Sequence, residues 1–493
     1  MRVPRIRRVR LAATGLALAT AASIALPAGT AAAAGSDAPA PGPLLSYVVN
    51  TQADHGQVKK AEREVTKAGG TVVTSYDQIG VVIARSTDTA FATKLRKVRG
   101  IDSVGASRTA GIVAADVEST VERVAPGATP ADGSEPLWAD QWDMRQIGVD
   151  QAHKTTLGSR RVVVGVLDSG IDATHEDLQA NVDPALSASC LGGKPDTSFA
   201  SWQPTTSDHG THVAGTIAAA KNGKGVEGIA PGVRLAAVKV VDDAGFIYPE
   251  YAICGFVWAG QHHFTVTNNS YYIDPWLFNC KNDPDQAAVT TAVKRAVAFS
   301  QRNGVLNVAA AGNDNIDLAH KTTDATSPDD TTPAPRPIDA GCLSLPTELP
   351  GVVVTSSVGV KGDKSFYSSY GNGKVTVAAP GGDSRYQLPD TPDKNGRVLS
   401  TVRGGYAYMQ GTSMASPHTV GVVALLASTH PWAGPDELRA MLTHQADAHA
   451  CPAVFDPSGD GAFAGVCEGS TAHNGFYGAG IVNAAKAAQW WRW

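Results

Sequence analysis

The 493-residue sequence is short of cysteine, of long apolar runs and of positive charge. Its six cysteines (190, 254, 280, 342, 451 and 467) contain no Cys-x-x-Cys spacing, which argues against a zinc knuckle. No run after the N-terminal segment approaches about 20 apolar residues, so no membrane anchor is expected. Of 41 basic residues, five fall within the first 34 positions, and the other 36 face 46 acidic ones. That excess of negative charge argues against nucleic acid or an anionic membrane as partner and is compatible with bound cations.

What is present begins with an export signature. Residues 1–34 combine the basic "MRVPRIRRVR", a weak apolar core and "AAAA" before Gly35, the pattern of a cleaved secretory signal. The pair Arg7-Arg8 raises twin-arginine export without deciding the route. In an exported protein an even number of cysteines predicts disulfides. Six allow 15 complete pairings, of which Cys451–Cys467 closes the shortest loop.

Residues 35–43 read as a linker. Residues 44–112 alternate strands and helices in the order βαββαβ, a ferredoxin-like α+β unit. Residues 113–134 are again a linker. From 135 to 493 buried β-branched strands such as "RRVVVGVLD" alternate with helices such as "DQAAVTTAVKRAVAFSQRNG". This predicts a doubly wound, mostly parallel α/β sheet covered on both faces. Two polar or Pro-rich insertions, 314–341 and 445–475, read as surface loops.

Three short motifs carry chemistry. "VLDSGID" places Asp168 at the C-terminal end of a buried strand, where α/β sheets hold their ligands. "DHGTHVAGT" places His209 at a helix start. "QGTSMASP" places Ser413 at the mouth of another helix, with Pro417 in its first turns. Each alone has a plain structural explanation: a turn carboxylate, a packed histidine, a capping serine. His209 and His212 stand at i, i+3, but no third metal ligand accompanies them.

Together, in the order Asp, His, Ser, the motifs resemble those of the subtilisin-like serine proteases over 135–493, and the unit at 44–112 resembles that family's inhibitory propeptide. The resemblance implies a subtilisin-like fold, a triad of Asp168, His209 and Ser413, and Asn313 in "AAAGND" as oxyanion donor. It also implies a processing site within 113–134. Substrate-binding residues implied are Ser270, Tyr271 and Tyr272 on one wall, Ala310 and Gly312 on the other, and Gly245 with Phe246 on the edge that pairs with extended substrate. Tyr272 stands where the family usually has glycine. The surrounding Phe246, Ile247 and tyrosines lead to an expected preference for apolar substrate residues.

The resemblance further implies structural calcium, held by Asp177 and Asn222 side chains and the carbonyls of Ala220, Lys224 and Val226, with Glu135 able to contribute. No organic cofactor is expected. The function implied is a secreted, self-processing serine endopeptidase, a monomer whose partners are protein substrates and its own propeptide. Alternatives are a processing protease with one precursor as target, or a non-catalytic peptide-binding homologue, whose mark would be a lost triad or oxyanion residue.

Overall fold

The computed structural model describes residues 42–112, 123–124, 134–389 and 395–489. The export signal and most of the 113–134 linker, with the expected processing site, lie outside the described residues.

The small N-terminal unit runs β1 (Leu45–Asn50), α1 (His55–Lys67), β2 (Thr71–Tyr76), β3 (Val81–Ser86), α2 (Phe91–Leu95) and β4 (Ser103–Ala106). Its strands form an antiparallel sheet in the order β2-β3-β1-β4. Asp54 caps α1 by accepting from the Gln57 N–H at 3.0 Å. Period-two alternation sends Tyr47, Val49, Val82 and Ala84 to one face, under α1 and α2 with Val58, Val65, Phe91 and Leu95. Val48, Val81 and Ile83 point to the opposite face, which is also buried.

The larger part is built on β5 (Val163–Asp168), β6 (Ala188–Ser189), α3 (His209–Ala218), β7 (Arg234–Lys239), α4 (Pro249–Gln261), β8 (Val266–Asn269), α5 (Pro284–Arg302), β9 (Leu306–Ala310), β10 (Val353–Val358) and β11 (Val377–Pro380). These are followed by the hairpin β12 (Val398–Val402) and β13 (Gly405–Met409), then α6 (Thr412–Thr429) and α7 (Pro435–Gln445). The main sheet has seven strands, ordered β11-β10-β9-β8-β5-β7-β6, and all its pairs are parallel.

Both faces of this sheet are covered, which is why its strands read as unbroken apolar runs. Val164 and Val166 face α3 and α6, meeting Val213, Ile217, Val420 and Leu425. Val163 and Leu167 face α4 and α5, meeting Ile253, Phe256, Val289 and Val293. The outer face of the small unit joins this second core through Val48, Val81 and Ile83. Burying side chains of this kind is worth about 1.5–3 kcal/mol each. Polar ties reinforce the contact: Asn50 Nδ2 donates to the Ala288 carbonyl at 2.9 Å, and Arg295 donates to the Thr51 carbonyl at 2.6 Å.

Three disulfides form: Cys190–Cys254, Cys280–Cys342 and Cys451–Cys467. The insertion 314–341 departs from its reading as a surface loop. Leu318, Lys321, Asp324 and Ser327 are buried within it. It is held by the Cys280–Cys342 bridge beside it, by the Arg336–Asp324 ion pair at 2.7 Å, and by Lys321 on Glu348 at 2.6 Å. Among the described residues no helix is long and apolar enough to cross a membrane.

Candidate active site

Asp168 ends β5 and His209 opens α3, so strand end and helix start deliver the two side chains to one rim of the sheet. His209 Nδ1 lies 2.8 Å and 3.0 Å from the two Asp168 carboxylate oxygens. Asp168 Oδ1 also accepts from the Ser169 N–H at 2.7 Å, which fixes the carboxylate in place. The approach is close enough to require glycine next to the histidine. A Cβ at Gly210 would stand 2.3 Å from the Gly170 carbonyl and 3.1 Å from Asp168 Cβ. Burial alone would depress the His209 pKa, but the Asp168 charge and hydrogen bond outweigh it and hold it above the ordinary histidine value. His212 has a different environment. Its Nε2 reaches the Val398 and Ala407 carbonyls at 3.2 and 3.1 Å, and burial beside His209 pushes its pKa down to about 3. It is a neutral packing residue.

Ser413 is the second residue of α6. Its hydroxyl donates to the Ser270 carbonyl at 3.2 Å rather than to His209, while the Ser270 hydroxyl donates to the Ser413 carbonyl at 2.9 Å. Asn313 follows β9 and Gly312. Its Oδ1 accepts from both the N–H and the hydroxyl of Thr412, each at 2.9 Å. That leaves Nδ2 available as a donor. Asn313 Nδ2 and the Ser413 N–H nitrogen each lie 3.6 Å from where a Cβ on Gly411 would sit. The two donors converge on that space, and the missing side chain keeps it open. Thr412, which pins the asparagine, was not singled out in the sequence.

A cavity of about 380 Å³ adjoins Ser413. Ser270, Tyr271 and Tyr272 line it together with Ala310, Gly312, Gly245 and Phe246, so the structure brings every sequence-derived substrate residue to one place. It also brings residues the sequence reading did not name. Asp274, Asp314 and Asp329 line the same cavity. The Tyr272 hydroxyl donates to Asp329 Oδ2 at 2.6 Å, and Asp274 accepts from the Ile247 N–H. Burial, and for Asp274 the neighbouring Asp329, raises both carboxyls above the usual range. Asp314 and Asp329 belong to the insertion read as a surface loop, and nothing local in "TSPDDTT" marks a pocket residue.

The end of the small unit runs beside this cavity. Asp330 accepts from the N–H groups of Thr109 and Ala110 at 2.9 and 3.0 Å. Arg108 is 5% exposed. It lies 2.5 Å from Glu250 and stacks 3.6 Å over the Tyr248 ring. The chain leaves the described residues after Ile112.

The expected metal residues cluster away from the cavity. Asp177 is fully buried. Its Oδ2 accepts from the Tyr406 hydroxyl at 2.9 Å and the Val226 N–H at 3.2 Å, whereas its Oδ1 is buried without a hydrogen-bond partner. Glu135 Oε1 accepts from the Asn222 and Gly223 N–H groups, both at 2.8 Å, and its Oε2 is likewise buried and unpartnered. Burial, with the Glu135 charge adding to it, moves the Asp177 pKa up to about 7. Asn222 Nδ2 donates to the Glu176 carbonyl at 3.1 Å. Lys224 directs its ammonium to Glu176 at 3.6 Å, and Ala220 donates its N–H to the Asp177 carbonyl at 2.8 Å. Two unpartnered carboxylate oxygens under a glycine-rich turn fit a hard cation. Among the described residues there is no cluster of three or more His, Cys, Asp or Glu placed as metal ligands, so such an ion would depend on carbonyl donors as well.

The sequence profile of the Subtilase family matches residues 159–480. Fervidolysin from Fervidobacterium pennivorans is 31% identical over 352 residues, covering 68% of this chain; the match spans 43% of fervidolysin's own length. Subtilisin Savinase from Lederbergia lenta is 30% identical over 352 residues, covering 71% of this chain and 98% of that protein. Among solved structures, the epidermin leader peptide processing serine protease (EpiP) from Staphylococcus aureus has a TM-score of 0.66 at 21% identity, covering 90% of this chain and 98% of that one.

Proposed function

The chain belongs to the subtilase family of serine endopeptidases, and from that premise we propose that it is a secreted peptidase using Asp168, His209 and Ser413, made as a zymogen that processes itself. The observation that carries this reading is the pair of contacts at 2.8 and 3.0 Å between His209 Nδ1 and Asp168. With its Nδ1–H held by the carboxylate, the imidazole keeps Nε2 free as the base.

A serine hydroxyl is a weak nucleophile, so Ser413 must leave the Ser270 carbonyl and pass its proton to His209 Nε2 as it attacks the scissile carbonyl. The Asp168 charge favours the imidazolium that forms. The developing oxyanion is taken by the Ser413 N–H and Asn313 Nδ2, which Thr412 has already oriented. The protonated His209 then gives its proton to the leaving amine, and water attacks the acyl-enzyme by the reverse use of the same groups.

The unit at 44–112 acts as the inhibitory propeptide in this reading, supported by its buried outer face and by Asp330 gripping the backbone of Thr109 and Ala110. Calcium is proposed at Asp177, Asn222 and the carbonyls of Ala220, Lys224 and Val226, with Glu135 beside them, supported by the two unpartnered carboxylate oxygens. Bound there, the ion would neutralise buried charge and tie the loop after Asp168 to the end of α3. Secretion is supported by the residues 1–34 pattern and by three disulfides.

N-terminal sequencing of the secreted protein, with and without Ser413→Ala, tests the reading. The wild type should begin within or near 113–134, and the variant should retain residues 44–112. Normal trimming of the variant, with no other protease present, would overturn self-processing.

A second reading, a processing protease with few targets, is favoured by Tyr272, which lines the cavity at a position where the family usually has glycine. Cleavage of a peptide library separates the two. A broad product set supports the general protease, and one or two sequences support the processing enzyme.

A further inference from the structure

The cavity at Ser413 has walls and a floor of different chemistry. Leu277, Phe278 and Ile316 supply apolar surface along its length. Three carboxyls reach it, from Asp274, Asp314 and Asp329, and no lysine, arginine or histidine lines it. Asp274 is 5% exposed and held by the Ile247 N–H. Asp329 receives the Tyr272 hydroxyl on Oδ2, and its carboxyl also meets that of Asp274 at hydrogen-bond range. Two carboxyls in contact, both pushed toward the neutral form, are held together by a shared proton and not by a cation of the protein. A cation from outside can replace that proton, and the cavity opens beside the nucleophile, where the side chain preceding the scissile bond must sit.

We propose that this cavity takes the cationic side chain of a lysine or arginine immediately before the scissile bond, with Asp329 and Asp274 as its counter-charge. The inference rests on the peptidase reading above and narrows it to a substrate class. The methylene stem of the guest packs on Leu277, Phe278 and Ile316, and its charged head takes the place of the proton shared by Asp274 and Asp329, which passes to solvent. An apolar guest fills the same space but leaves the acids without a cation, so the site discriminates by the charge it lacks. A glutamate guest brings a further carboxyl to a site that already holds three. Elsewhere in the protein a buried basic side chain is held by a similar pairing of apolar face and carboxylate: Arg108 stacks on Tyr248 and pairs with Glu250.

The test compares fluorogenic peptides that differ only in the residue before the cut: Arg, Lys, Leu, Phe or Glu. The full-length chain, matured after secretion, serves as the enzyme. Ser413 is labelled in parallel with a fluorophosphonate, with and without benzamidine as an aromatic cation. Expected are kcat/KM values for Arg and Lys about a hundredfold above Leu or Phe, and labelling slowed by benzamidine. Asp329→Asn should lower the Arg-to-Leu ratio tenfold or more, and Asp329→Glu should restore most of it. A wild-type ratio near or below one, or a ratio unchanged in Asp329→Asn, overturns the proposal. If Asp329→Asn does not fold, the wild-type ratio and the benzamidine competition decide. Failure of the parent reading looks different: Ser413 is then not labelled and no peptide is cut, whereas labelling with preferred cleavage after Leu defeats the pocket assignment alone.

Discussion

Two groups of buried carboxyls in this protein lie on opposite sides of the same chemistry. Asp177 and Glu135 sit in a tight turn region, each with one oxygen tied down by nearby N–H groups and one left over. Asp274 and Asp329 sit on the floor of a cavity open to substrate. In both places burial drives the carboxyls toward their neutral forms, and in both a cation would reverse the penalty. The difference is access. A closed turn suits a resident ion that affects lifetime, whereas an open pocket suits a transient guest that affects selectivity. Neutralising the first should move stability without selectivity, and neutralising the second should do the reverse.

The largest expected effect belongs to neither group and supplies the reference. Asn313→Ala removes one oxyanion donor, a change measured in a subtilisin to cost about 10²–10³ in turnover. Steady-state assays should show that loss in kcat, with the Arg-to-Leu ratio and the thermal response to calcium both unaltered. A loss below tenfold would mean Asn313 is not the donor.

Next comes the closed site. A ligand binding only the folded state at tenfold its Kd contributes about 1.4 kcal/mol, about one to two degrees of Tm in a protein of this size. Thermal unfolding with millimolar calcium against excess chelator should show that shift in the wild type, and Asp177→Ala should abolish it. A wild type indifferent to calcium breaks the comparison on this side.

The shift should also depend on pH. The folded Asp177 pKa is about 7, above its ordinary value, so the folded state binds the proton more tightly than the unfolded chain. Without calcium, this group's contribution is most favourable at low pH and declines as pH rises from about 4 to 7. Calcium needs the deprotonated carboxylate and offsets the decline. Its effect on Tm should therefore be larger at pH 8 than at pH 5, and equal shifts would place the ion elsewhere.

The smallest effect sharpens the open site. Tyr272→Phe removes one donor from Asp329 without emptying the wall. A single hydrogen bond of this kind is worth about 1 kcal/mol, so the Arg-to-Leu ratio should change about fivefold, read from kcat/KM. No change at all would place Tyr272 outside the pocket chemistry.

The parts legible in the sequence share one property: each is encoded locally. Asp168, His209 and Ser413 stand at strand or helix ends that apolar periodicity and helix-start signals already mark, and their order carries the resemblance. Cys451 and Cys467 are close in sequence and do pair, while the other two bridges span separations of 64 and 62 residues. The insertion 314–341 is the instructive miss. Its composition is that of a solvated loop, and only the ties at Cys280–Cys342, Arg336–Asp324 and Lys321–Glu348 turn it inward.

By itself, then, the sequence determined the alternation of strands and helices, the βαββαβ order of the small unit, and the three motifs at the ends of elements, because periodicity and end signals act over a few residues. The tertiary structure alone decided which acids line the cavity beside the nucleophile. Asp274 and Asp329 are 55 positions apart. Whether they meet depends on long-range closure and on burial that raises the energetic stakes of every unpaired oxygen, and no local pattern reports either.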